Sequence, residues 1–180
     1  MKTLWVSQPD LLRVRENLAD PHEVGGHFDV RGTQLVPVIS ANGNHNSIVV
    51  SKQHPFVFHT HPGVCTTKAS CALGVPSSQD MRQILAGSTY GNIAHFVFAH
   101  EGTYVVQARC QLLERFMKNS AIGDDVKATF KKFQGDFSRS SQAYPSFVRS
   151  WISFANSNGF SVHYFPYGSQ LSITLENKCF

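Results

Sequence analysis

Apolar residues recur along this chain in two rhythms, one helical and one alternating, and the switches between them outline the fold. Leu11, Leu12, Val14 and Leu18 form a helical stripe behind Ser7-Gln8-Pro9-Asp10. In that tetrapeptide Ser7 suits the cap, Pro9 the first turn and Asp10 the acid of a capping box, and Pro21 stops the helix. A strand-rich region follows, with strands predicted at 24–30, 34–39, 47–51 and 56–61. Gly25-Gly26 marks a close backbone approach and Asn42-Gly43-Asn44 a turn. Residues 65–75 read as a loop of small and polar residues. Residues 77–86 predict a second helix, ended by Gly87. Strands at 93–99 and 103–108 are joined through His100-Glu101-Gly102.

The last third is mainly helical. It begins at 110–118, continues with Val126, Phe130, Phe133 and Phe137 at helical spacing, and then with Phe147, Val148, Trp151, Ile152 and Ala155 up to a stop at Gly159. Strands at 160–167 and 171–175 close the chain. The class is α/β or α+β, a mixed sheet flanked by helices. No repeat or linker divides residues 1–180, so one domain is expected.

Composition sharpens this picture only in places. Apolar residues make up 42% and charged residues 16%, too apolar a balance for disorder. The 14 phenylalanines predict an aromatic-rich core, with the Phe130, Phe133 and Phe137 stripe inside it. The net charge of +4 comes without a dense basic block, Lys131-Lys132 being the nearest to one, so nothing asks for nucleic acid. The N-terminus turns polar at once and no apolar run reaches membrane-spanning length, so no membrane role and an intracellular location are expected. Cys65, Cys71, Cys110 and Cys179 follow no disulfide framework and are expected as free thiols.

Candidate chemistry concentrates in Phe56-Val57-Phe58-His59-Thr60-His61-Pro62. Side chains alternate along a strand, so His59 and His61 project to one side and Thr60 to the other. Two imidazoles so placed can grip one metal ion at a strand end. Asp80, in the first turn of the helix beginning near Ser77, can add a carboxylate. Two histidines, one carboxylate and an open position make the usual catalytic zinc set. Such a site needs a general base, and Glu23, between the first helix and Gly25-Gly26, is the candidate.

These residues resemble a known family. Glu23-Val24-Gly25-Gly26, then His59-Thr60-His61-Pro62, then Ser77-Ser78-Gln79-Asp80 is similar in order and type to the motif of the JAMM metalloproteases of the MPN domain family. The resemblance covers about 7–108; the helical extension at about 110–180 carries no motif. It implies an MPN-like sheet, similar to the cytidine-deaminase-like architecture. It further implies zinc on His59, His61 and Asp80, with Glu23 holding and deprotonating the water and Ser77 hydrogen-bonding the oxyanion. The activity implied is hydrolysis of an isopeptide bond to ubiquitin or a ubiquitin-like modifier through a zinc-bound water, alone or within a larger complex. In one respect the chain departs from the family: residues 62–76 separate the second histidine from the serine by more than usual, an insertion a surface loop absorbs at little cost.

Other readings stand beside this one. RadC-type bacterial proteins share an H-x-H-P…P-S-x-x-D string, so a same-fold metal hydrolase of another substrate is the alternative, as is a non-catalytic MPN scaffold. Cys65 and Cys71 with His54 form a weaker structural zinc candidate, and Cys65 beside His61 a weaker nucleophile. Ser7-x-x-Asp10 repeats the S-x-x-D string with no metal partner in sight. His22, His27, His45, His95, His100 and His163 read as ordinary surface or core histidines.

Overall fold

A computed structural model describes residues 1–42, 54–63, 66–67, 74–175 and 179. The chain opens with β1 (Lys2–Trp5), α1 (Gln8–Arg15) and a 3₁₀ turn (Glu16–Ala19), then β2 (Val24–Arg31), β3 (Gln34–Asn42) and β4 (Phe56–Thr60). It continues with α2 (Ser78–Ser88), β5 (Ala94–Phe98), β6 (Gly102–Ala108), α3 (Cys110–Lys118), α4 (Ile122–Arg139) and α5 (Tyr144–Ser157). It closes with β7 (Phe160–Pro166) and β8 (Ser172–Leu175). The mixed α/β class expected from the periodicity is present. The strand expected at 47–51 and most of the loop at 65–75 lie outside the described residues, as do Cys65, Cys71 and His45.

The strands form one mixed sheet in the order β7-β6-β5-β4-β2-β3-β1-β8. Strands from the motif-bearing part and from the C-terminal third therefore share it: β7 pairs along the whole of β6, and β8 pairs with β1. β1 has no counterpart among the expected strands. Its four residues are too short to show a period, and its place is set by β8 and β3.

Alternation sends side chains to two cores. On one face Phe28, Phe58, Phe96 and Phe98 gather with Leu4, Leu35 and Ile173 beneath Leu11 and Val14 of α1. On the other, Val97, Tyr104, Val106 and Val162 are covered by α2 to α5 through Met81, Leu85, Phe130, Phe147 and Trp151. The aromatic-rich core is realised on both faces. Phe130 and Phe137 are buried, and Phe133 stacks on Phe154 at 4.2 Å between ring centres. Burying a side chain of this size contributes roughly 1.5–3 kcal/mol.

Two expectations are corrected. Gly87 does not end α2, which runs on to Ser88; this glycine instead lets Asn92 lie close, since a Cβ would stand 2.5 Å from its Oδ1. Gly26, by contrast, serves the close approach expected of it, as a Cβ there would collide with the Val38 carbonyl oxygen. Cys110 and Cys179 are not free thiols but a disulfide, with Cα atoms 5.2 Å apart. They lie 69 residues apart in sequence, so only the fold reveals the pair. Among the described residues no helix is long and apolar enough to cross a membrane.

Candidate metal centre

β4 and β5 are parallel neighbours, and α2 lies between them in sequence, so the three form a strand–helix–strand crossover. In such a unit the helix N-terminus returns near the end of the strand before it. That connectivity brings Ser77 and Asp80 to His59 and His61, whatever the length of the intervening loop. The rows of the sheet do the rest. β4 is buried along its whole length, with Phe56 and Phe58 in the core beneath α1 and His59 on the opposite, helix-covered side. The His61 N–H donates to the Phe98 carbonyl at 2.7 Å, so the ladder runs one residue past β4 and holds the alternation as far as His61. Gly25 pairs with His59 in the antiparallel β2–β4 ladder, which sets Glu23, just before β2, opposite His61. Thr60, on the far side of the strand, accepts the Val24 N–H at 2.9 Å in a buried hydrogen bond that ties the segment behind Glu23 to β4.

The side chains converge. His59 Nε2 and His61 Nε2 are 3.0 Å apart. Asp80 Oδ1 is 3.4 Å from the first and Oδ2 is 3.1 Å from the second. Glu23 Oε1 is 3.8 Å from His61 Nε2. Glu23, His59 and His61 are all buried, and their ligand atoms lie within 4.8 Å of one another, a group that can hold a metal ion. Asp80 belongs with them by distance, its carboxylate standing nearer both imidazoles than that of Glu23 stands to His61.

Ser77 caps α2. Its Oγ accepts the Asp80 N–H at 3.0 Å, while Asp80 Oδ2 accepts the Ser77 N–H at 2.8 Å, a closed capping box. This box fixes the Asp80 carboxylate toward the histidines. The C-terminal third braces the same helix: Gln134 of α4 donates to the Pro76 carbonyl at 3.4 Å, and Arg82 pairs with Asp124 at 3.0 Å.

Electrostatics separate the two carboxylates. Burial raises the Glu23 carboxyl above its ordinary range, against the pull of His59 and His61. Burial would raise Asp80 too, but attraction to His59 and hydrogen bonds with both imidazoles outweigh it and hold that carboxyl well below the usual range.

His95, given no role by the sequence, joins the centre. Its Nε2 is 2.8 Å from His59 Nδ1. Burial first, then repulsion from His59, pushes its pKa down to about 3. It lies on β5 beside Val57, one row from His59. Only strand register brings the two together, and no spacing in the sequence encodes that register. His100 anchors the rim, its Nε2 standing 2.9 Å from the Pro62 carbonyl oxygen. His22 pairs with Asp20 on the surface, and His27 stacks on His54 with ring centres 3.5 Å apart. No known protein-family model matches the chain, and no curated protein matches it.

Proposed function

We propose that this chain is a zinc-dependent hydrolase of the JAMM type, cleaving the isopeptide bond between a ubiquitin-like C-terminus and a lysine amine. One observation carries the metal half of this reading: His59 Nε2, His61 Nε2 and the Asp80 carboxylate meet at 3.0–3.4 Å. Two ligands of one tetrahedral zinc stand about 3.3 Å apart, given zinc–nitrogen and zinc–oxygen bonds of about 2.0–2.1 Å. The donor set therefore suits zinc in size and in type. The choice of an isopeptide substrate rests on the motif resemblance.

When bound, zinc supplies Lewis-acid polarisation and makes water a stronger acid. The remaining work falls to the chain. His59, His61 and Asp80 would hold the ion. Glu23, buried beside His61 with a raised pKa, accepts a proton from the attacking water and delivers it to the departing amine. Ser77 Oγ accepts from the Asp80 N–H, which leaves its own hydroxyl proton to donate to the oxyanion of the substrate. No step needs a covalent intermediate on the protein.

The test is cleavage of ubiquitin chains by the zinc-loaded protein, with a chelator or iodoacetamide added. Cleavage lost to the chelator, spared by iodoacetamide and reduced about 10²–10⁴-fold by Glu23→Gln is expected. Loss to iodoacetamide with resistance to the chelator contradicts the mechanism.

A further inference from the structure

A zinc site built on histidine depends on which ring nitrogen carries the proton, and something must set that choice for each ligand. At His59 both nitrogens have close neighbours. Nε2 faces His61 Nε2 and Asp80 Oδ1, at 3.0 and 3.4 Å. Nδ1 faces His95 Nε2 at 2.8 Å, a full-strength hydrogen-bond distance between two buried rings. A hydrogen bond between two imidazoles has one donor and one acceptor. If Nε2 of His59 gives its lone pair to a metal, Nδ1 must carry the proton and donate. The acceptor is then Nε2 of His95, whose own proton sits on Nδ1.

Packing gives His95 little freedom to do otherwise. It stands second in β5, paired with Val57 on one side and Val106 on the other. The rings of His59 and His95 are nearly perpendicular, at 78° with centres 4.9 Å apart, so an in-plane hydrogen bond rather than ring stacking accounts for the contact. Resting on the metal-site reading above, we propose that His95 is a positioning residue: it accepts the Nδ1–H of His59 and so presents the Nε2 lone pair of that ligand to the ion. It touches neither the metal nor the substrate.

The experiment is a competition titration of zinc against a chromophoric chelator, with the unaltered protein, His95→Phe and His95→Gln. The carbonyl oxygen of glutamine can accept the same bond, and the phenyl ring cannot. Zinc affinity is expected to fall about 10–100-fold in His95→Phe, the usual cost of losing such a partner, and to be largely kept in His95→Gln. Equal affinity in all three proteins overturns the role of His95 and leaves the zinc site standing. No zinc bound by the unaltered protein removes the site and this role together. Should His95→Phe not fold, ring-nitrogen NMR of the zinc-loaded unaltered protein decides. A proton on Nδ1 of His95, with Nε2 bare, is expected; a proton on Nε2 overturns the proposal.

Discussion

The chain carries the string S-x-x-D twice at the start of a helix, with a serine cap in both copies, a closed capping box only in the second, and different surroundings. Ser7 caps α1, its Oγ accepting the Asp10 N–H at 3.2 Å, as Ser77 caps α2. The carboxylates are similarly sheltered, Asp10 being 21% exposed and Asp80 14%. In the chain α1 comes after β1 and α2 after β4. But β1 ends at Trp5 beside β3 and β8 at the margin of the sheet, and Asp10 faces the half-exposed Arg13 of its own helix at 3.5 Å. β4 lies within the sheet, with β2 on one side and β5 on the other, and ends in two imidazoles, both in reach of Asp80. A cap becomes a ligand by where the crossover delivers it, not by its own sequence.

That contrast can be broken in order of size. Asp80→Ala should lower zinc affinity by more than the roughly 100-fold that bounds the loss of an outer partner, while Asp10→Ala leaves it unchanged. A chelator titration in which both variants bind alike would erase the distinction. Next come the serines. Ser7→Ala and Ser77→Ala should each destabilise by about 1 kcal/mol through a lost cap, but only Ser77→Ala should slow turnover, by roughly 10²–10³-fold. Denaturant midpoints set beside steady-state rates separate the two effects, and equal rates in both variants would reduce Ser77 to a cap. The smallest effect is at Thr60. Thr60→Val strands the buried Val24 N–H and should cost about 1–3 kcal/mol, with Thr60→Ser restoring most of it. Unfolding curves for Val and Ser that coincide would show that this bond does not tie Glu23 to the site.

Much of this arrangement was legible in the residues. Period-two alternation set His59 and His61 on one side, and capping-box chemistry started α2 at the right turn. Glu23, His59, His61 and Asp80 meet because the topology closes as their order suggested. What was not legible depends on pairings made at long range. β1 is too short to declare itself before β8 returns to it. His95 enters through the parallel register of β4 and β5, and Cys110 and Cys179 through the return of the chain end. The last third carries no motif, yet its α4 holds Pro76 and Arg82, so the segment with least to read as chemistry steadies the helix that presents Asp80.

The most direct test of the centre is the zinc content of the protein, purified without chelators from zinc-replete medium and measured by elemental analysis. One zinc per chain is the result predicted by the three donors of His59, His61 and Asp80. A folded protein that carries none, and takes up none when zinc is added, would contradict it.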